Sequence, residues 1–219
     1  MNRKQIICLV EGQGEDKAVP ILIRRVAQEI NPALQFHLSV SAFRVKRDKV
    51  VKAGELENAI RVAAQTFANP GAILILLDAD EDCPAALAPQ LLQRAQAARS
   101  DLPIAVVLAQ REYEAWLIAA AESLRGKRGL SDTLQTPAAP EAIRDAKGWL
   151  SKHAKKGSPY KPTVDQAALT AVFNLQAARK AAFFAKLYKE IARLLAELEL
   201  LPADTVNFPA SPHPPTATE

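Results

Sequence analysis

The chain contains 219 residues, of which 49% are hydrophobic and 24% are charged. This length predicts one large domain with at most a small extension, and the composition excludes a chain that is disordered throughout. No apolar run reaches the ~20 residues that a transmembrane helix needs, and the short run at residues 5–10 lacks the features of a signal peptide. Cys8 and Cys83 alone provide neither a disulfide framework nor a structural zinc site. We therefore expect a cytoplasmic protein with no membrane partner.

The charged residues are unevenly distributed along the chain. The 28 basic and 24 acidic residues give a net charge of +4. Basic residues concentrate at 44–52 and 144–161, whereas residues 62–93 contain no lysine or arginine but include four acids between 78 and 82. A function for this chain has to account for both basic segments and for the acidic cluster.

Predicted strands alternate with amphipathic helices along the first half of the chain. Apolar runs bounded by turn residues predict four strands, at residues 6–10, 35–45, 72–77 and 104–109. Helical spacing of apolar residues predicts helices that begin near Asp16 and Glu112 and helices at 55–67, 84–98 and 177–201. This alternation predicts an α/β fold with a mostly parallel four-stranded sheet flanked by helices. We assign residues 1–125 to that core, 126–201 to an extension of basic loop and helix that packs on it, and the proline-rich residues 202–219 to a disordered tail.

Acidic residues follow two of the predicted strands directly. Glu11 comes after the first strand, and Asp78 and Asp80 come after the third. Ligands bind at the carboxyl ends of parallel strands, and residues two apart can face the same way. Two carboxylates about 4 Å apart repel by on the order of 4 kcal/mol at an effective dielectric of ~20, and a divalent cation relieves this repulsion. Because the donors are carboxylates, we expect Mg²⁺ or Mn²⁺ there.

Three further acids extend the candidate ligand set. Asp82 follows the third strand, where it either joins the ligands or caps the next helix. Glu112 and Glu114 follow the fourth strand and are either further ligands or acids that favour the dipole of the helix that begins there. Arg111, beside them, is a candidate phosphate-binding residue.

The extension contains a flexible basic loop at residues 152–161. Lys155 and Lys156 are suited to binding a phosphate backbone, and Tyr160 is suited to stacking a base. The alternative is an ordinary solvated loop. The sequence therefore predicts nucleic acid, DNA or RNA, as the partner of this segment.

Two short motifs resemble those of the Toprim fold family, which includes topoisomerases, primases and the overcoming-lysogenization-defect nucleases. That family carries Glu-Gly after its first strand and Asp-x-Asp after a later strand, matched here by Leu-Val-Glu-Gly at 9–12 and Leu-Asp-Ala-Asp at 77–80. The resemblance implies that Glu11 acts as general acid/base and that the aspartates hold Mg²⁺ during phosphodiester cleavage or joining. No tyrosine nucleophile domain is evident, which argues against topoisomerase activity.

Most of the chain resembles an uncharacterised bacterial Toprim-like family that is often encoded beside AAA- or ABC-type ATPases in apparent phage-defence regions. The resemblance rests on Val-Glu-Gly-Gln-Gly-Glu at 10–15, Arg-Glu-Tyr-Glu-Ala-Trp-Leu at 111–117 and Tyr-Lys-Pro-Thr-Val-Asp-Gln at 160–166. Lys161 lies in the third stretch and is the lysine that we assign to catalysis beside Glu11. Our hypothesis is a metal-dependent nuclease or related phosphoryl-transfer enzyme, the effector of an ATPase-linked defence system. The alternative is a catalytically idle Toprim-like module that binds and regulates an ATPase.

Overall fold

A parallel four-stranded sheet forms the centre of the structure. The structure, a computed structural model, describes residues 3–68 and 71–202. Its strands are β1 (Lys4–Val10), β2 (Leu38–Arg44), β3 (Gly71–Asp78) and β4 (Ile104–Ala109). Every neighbouring pair is parallel, in the order β2-β1-β3-β4. The predicted α/β fold is confirmed, whereas the predicted disordered tail lies, from residue 203 onwards, outside the described residues.

Helices of different lengths surround this sheet. They are α1 (Glu15–Ile30), α2 (Arg47–Val50), α3 (Glu55–Gln65), α4 (Pro84–Ala98), α5 (Glu114–Ala119), α6 (Ala146–Lys152), α7 (Ala167–Thr170), α8 (Leu175–Ala178) and α9 (Ala182–Glu197). The predicted helix at 177–201 is in fact divided between α8 and α9. The carboxylate of Glu141, which is distant in sequence, accepts a hydrogen bond from the backbone N–H of Phe183 and caps the start of α9. The local spacing of apolar residues gives no information about a contact between residues so far apart in the sequence.

Successive side chains of each strand point to opposite faces of the sheet and form two hydrophobic layers. On β1, Ile6 and Cys8 pack into one layer, and Ile7 and Leu9 pack into the other. The second layer lies under α3 and α4, and the first lies under α1, α5 and α9. The extension therefore shares its core with the sheet, as residues of α9 pack directly against β4 and α1.

The strand register brings the candidate site residues to one edge. Val10 lies beside Leu76, and Asp78 lies beside Ala109, so β1, β3 and β4 end at nearly the same level. The loops that leave these strands begin with Glu11, Ala79 and Gln110 and therefore meet at the carboxyl edge of the sheet. No helix in the described part of the chain has the length and apolarity to cross a bilayer.

Candidate functional site

A pocket of about 400 Å³ opens at the carboxyl edge of the sheet. We call it the acid pocket. It is lined by Glu11, Gly12, Gln13, Gly14, Glu15, Asp78, Asp80, Lys147, Pro162, Thr163 and Gln166. Three of the predicted metal ligands, Glu11, Asp78 and Asp80, are thus brought together here. Among the described residues the lining holds four acidic side chains and one lysine, so acidic groups outnumber basic ones in the pocket.

Asp78 is the most firmly held of the three. It is the last residue of the fully buried strand β3, and its Oδ1 accepts a hydrogen bond of 2.8 Å from the backbone N–H of Tyr113. Its Oδ2 lies 3.8 Å from Nζ of Lys147. Burial raises the pKa of Asp78 well above its ordinary value, and the charge of Glu15 raises it further, while Lys147 opposes both. The carboxylate is therefore fixed in orientation, and its charge depends on a nearby cation.

Glu11 follows β1 and is half-buried. Its Oε2 is buried and has no hydrogen-bond partner among the residues that the structure describes. Burial raises the pKa of Glu11, with a further contribution from Asp80, and Arg47 and Lys147 lower it. An acceptor oxygen in this position is available to a proton or to a cation.

Glu15 is a site residue that the sequence analysis did not single out. It lies in the first turn of α1 and is only 4% exposed. Its Oε2 accepts the backbone N–H groups of Glu11 and Gly12, each at 3.2 Å, and so fixes the loop that carries Glu11. Burial raises the pKa of Glu15 to about 7. The available signal was an acid in the first helical turn, four residues after Glu11.

Lys147 is the second site residue that sequence reasoning missed. It lies in the first turn of α6, and its Nζ is 2.9 Å from Glu112 Oε1 and 3.4 Å from Glu114 Oε2. Desolvation lowers the pKa of Lys147, but Glu114, Asp78 and Glu112 together raise it above its ordinary value. Lys147 therefore remains an ammonium that neutralises part of the acid cluster.

Glu112 does not line the acid pocket. Its Oε2 accepts hydrogen bonds from the backbone N–H groups of Ala146 and Lys147, at 2.8 and 3.1 Å. Of the two predicted roles, metal ligand and dipole-stabilising acid, the geometry supports a variant of the second, at the N-terminus of α6 and not of α5. Glu112 thereby positions Lys147.

Glu114 and Tyr160 also differ from their predicted roles. Glu114 is fully buried behind the pocket, and its Oε1 accepts hydrogen bonds from the Tyr160 hydroxyl at 2.9 Å and from Gln166 Nε2 at 3.3 Å. Burial raises the pKa of Glu114, and Lys147 and the Tyr160 hydroxyl oppose that effect. Tyr160 is only 8% exposed, so its ring is not presented to solvent as a surface for a base. The two residues join the extension to the start of α5.

The segment after Tyr160 forms one side of the acid pocket. Pro162 and Gln166 can approach the loop after β1 because residue 14 is glycine. A Cβ atom there would lie 2.5 Å from the carbonyl oxygen of Pro162 and closer still to Oε1 of Gln166. A side chain at Gly14 would therefore displace this side of the pocket.

Arg47 binds the loop that follows β3. Its Nε donates to the carbonyl of Asp78 at 2.9 Å, and its guanidinium forms ion pairs with Asp80 and Asp82. Asp82 is outside the acid pocket and is engaged by Arg47, which differs from its predicted role as a ligand. Asp80 lines the acid pocket, and its Oδ2 lies 3.5 Å from Nη1 of Arg47.

Two non-glycine residues at the rim have left-handed backbone conformations. Asp80 has a φ of 51° and Arg111 has a φ of 63°, and the N–H of Asp80 donates to the carbonyl of Arg111. Such conformations cost of order 1–3 kcal/mol each and concentrate at functional sites. The Arg111 guanidinium binds Glu81 at 2.9 Å and does not line the acid pocket.

The predicted basic loop lies outside the pocket. Lys155 pairs with Asp132 at 3.1 Å on the surface, and Lys156 is exposed. Lys161, predicted to be catalytic, is exposed beside Pro162, and its backbone N–H donates to Asp165. Lys147, and not Lys161, is the lysine that lines the pocket.

The acid pocket fits a divalent cation only in part. Within residues 3–68 and 71–202, no three His, Cys, Asp or Glu side chains form a group that could hold a metal ion. The pocket nevertheless offers carboxylate oxygens, including the buried, unpartnered Oε2 of Glu11. Mg²⁺ commonly binds through one or two carboxylates, with waters and substrate phosphates completing its shell. The residues present therefore fit an ion shared with a substrate and do not form a complete protein cage.

Comparison with known proteins identifies a family but no characterised relative. No curated protein and no solved structure is significantly similar to the chain. The model of one family, described as a domain of unknown function (DUF4276), matches residues 10–192. This match covers most of the chain, including every residue that lines the acid pocket. The chain belongs to the DUF4276 family.

Proposed function

We propose that this protein is a metal-dependent nuclease, or a related phosphoryl-transfer enzyme, that acts on DNA or RNA in the manner of a Toprim domain. The observation that carries the proposal is that Glu11, Asp78 and Asp80 line one pocket at the carboxyl edge of a parallel sheet. The Toprim-like spacing of these acids in the sequence supports the same function. An ATPase partner, suggested by the same resemblance, would control access to the substrate.

The charge of the pocket explains why a cation belongs to this proposal. The carboxylates that line the pocket outnumber its cations and would repel the negative charge of a phosphodiester, because like charges that lie close together repel strongly. Mg²⁺ or Mn²⁺ held by Glu11 and by Asp78 or Asp80 would remove that repulsion. When bound, the ion supplies positive charge that stabilises the negative charge that develops on the scissile phosphate.

The residues of the chain have separate roles in this proposal. The N–H of Tyr113 fixes the Asp78 carboxylate, and Glu15 fixes the loop that carries Glu11. Glu11 accepts or donates a proton at Oε2, which no other described group engages. Lys147 places an ammonium group beside Asp78, where it limits repulsion of the substrate phosphate.

The test is a cleavage assay on plasmid DNA and on single-stranded DNA and RNA, with Mg²⁺ or Mn²⁺. We expect Glu11→Gln and Asp78→Asn each to reduce the cleavage rate by about 100-fold or more, comparable to the loss of a major electrostatic contributor to catalysis. Matched controls are Glu55→Gln and Asp101→Asn, because both residues are exposed and neither lines the pocket. If wild-type protein and Asp78→Asn cleave at equal rates, these acids do not form the active site.

A second candidate function has one observation in its favour. Lys147 and Arg47 already pair with acids of the site, which is also how a purely structural ion-pair network is arranged. In that case the chain would be an idle Toprim-like module that binds an ATPase. Calorimetric titration with Mg²⁺ distinguishes the two, since only the enzyme requires binding that Asp78→Asn abolishes and Asp101→Asn preserves.

A further inference from the structure

A second and larger cavity lies beside the acid pocket. We call it the apolar groove; it has a volume of about 930 Å³ and runs between the loop after β3, residues 136–142 and the start of α9. Asp80 lines both cavities, and the backbone hydrogen bond between Asp80 and Arg111 supports the ridge that they share. A ligand that reaches into the acid pocket can therefore extend into the groove without leaving the protein surface.

The electrostatics of the groove differ from those of the acid pocket. Its acids have cationic or N–H partners: Asp80 and Asp82 pair with Arg47, Glu81 with Arg111, and Glu141 with the N–H of Phe183. Alanine and proline side chains, such as Ala119, Pro137 and Ala138, form much of its wall. A wall that is largely apolar and whose acidic groups already have partners favours an uncharged part of a ligand.

We propose that the apolar groove binds an unpaired nucleoside attached to the phosphate that the acid pocket binds. This inference rests on the proposed function, because it assigns the phosphate to the acid pocket. The base and sugar are the uncharged part of a nucleotide; the sugar is joined to the phosphate, and the base is joined to the sugar. A base inside a duplex is paired and stacked, and it reaches such a cavity only after it is extruded. The geometry therefore predicts a preference for single-stranded nucleic acid.

Phe183 is the residue suited to contact the base. It is partly exposed and lines the groove near the N-terminus of α9. Base stacking on an aromatic ring is sequence-tolerant, as every base has a π-face. Lys180 is exposed at the same end of the groove, where an ammonium can approach a flanking phosphate.

The experiment measures binding of fluorescently labelled single-stranded DNA, single-stranded RNA and a duplex of the same sequence by anisotropy, with Ca²⁺ in place of Mg²⁺. We expect Phe183→Ala to weaken single-strand binding by about 5- to 100-fold and to leave duplex binding unchanged. Ala138→Trp fills the groove from an exposed loop position and should have the same effect without removing a core contact. The control is Phe36→Ala. Phe36 is 63% exposed and lies just before β2, at the amino-terminal ends of the strands and therefore away from the groove.

Two results would overturn the inference: wild-type affinity in both Phe183→Ala and Ala138→Trp, or wild-type protein that binds the duplex as tightly as the single strand. The binding assay does not depend on cleavage, so it separates this inference from the nuclease proposal. Single-strand binding that requires the groove, without metal-dependent cleavage, supports the groove and contradicts the nuclease. Cleavage that is lost in Asp78→Asn but unaffected by the two groove variants supports the nuclease and contradicts the groove.

Discussion

The two sides of the acid pocket come from different parts of the chain and carry opposite charges. The sheet side holds Glu11 after β1, Asp78 at the end of β3, Asp80 in the next loop and Glu15 in the first turn of α1. The extension side contributes the ammonium of Lys147 and the amide of Gln166. The comparison shows that acidic side chains cluster at the sheet edge, where they repel one another, and that the lysine of the extension reduces this repulsion. The site is complete only when both sides are folded together.

The strongest test of this comparison is Lys147→Met, which removes the cation of the extension side. Asp78, Glu112 and Glu114 would lose a shared partner, and removing one member of a buried ion pair costs ~3–5 kcal/mol. Because the Lys147 side chain is 39% exposed, we expect a smaller decrease in the free energy of unfolding, about 2–3 kcal/mol at pH 8. Urea denaturation measures this change.

The loss caused by Lys147→Met should shrink towards pH 5. The pKa values of Asp78 and Glu114 are already raised by burial, so without Lys147 these groups take up protons first as the pH falls and their repulsion disappears. Lys152→Met, in the last turn of the same helix, is the matched control and should leave stability nearly unchanged. Equal losses in the two variants would contradict the assigned role of Lys147.

The second test is Glu15→Gln, which changes how the stability of the sheet side depends on pH. The folded state raises the pKa of Glu15 from 4.5 to about 7, so between these pH values the folded protein holds a proton that the unfolded chain has released. The stability contributed by that proton is present in full below pH 4.5 and is lost as the pH rises to 7. Glutamine does not titrate and retains an oxygen that can accept the N–H groups of Glu11 and Gly12.

We therefore expect Glu15→Gln in metal-free protein to raise the free energy of unfolding by about 2 kcal/mol at pH 8 and by much less at pH 5. Thermal or urea unfolding at several pH values provides the measurement. Glu55→Gln, at an exposed position in the first turn of α3, should give a curve parallel to that of the wild type. A parallel curve for Glu15→Gln as well would show that the Glu15 carboxyl is charged throughout.

The two sides of the pocket also differ in how much of them the sequence could predict. The apolar runs of β3 and β4 define buried strands, so Asp78 at the end of β3 and the residues that follow both strands had to emerge at one edge of a parallel sheet. Lys147 is one of several basic residues in a polar segment, and its partners Asp78 and Glu114 are more than 30 residues away. Local periodicity contains no information about such pairings.

Tyr160 also shows that the sequence around a residue does not determine which partner its side chain has. An aromatic residue in a lysine-rich loop that contains glycine and proline is typical of a nucleic acid contact. The fold instead buries the ring of Tyr160 and directs its hydroxyl to Glu114. The start of α9 depends likewise on Glu141, 42 residues before Phe183. Residue type indicated what these side chains could do, and tertiary packing decided which partner they have.

The smallest expected effect comes from Tyr160→Phe, which removes one hydrogen bond between the two sides. Glu114 Oε1 would keep only the longer contact with Gln166, and the loss of a hydrogen bond to a charged group costs about 1.5 kcal/mol. A double-mutant cycle with Glu114→Gln isolates this interaction, and we expect a coupling energy of about 1 kcal/mol. Tyr113→Phe is the matched cycle, because the hydroxyl of Tyr113, which is also buried, bonds to Thr170 instead, and its effect should add to that of Glu114→Gln. Additivity in both cycles would mean that the Tyr160 hydroxyl does not tie the extension to Glu114.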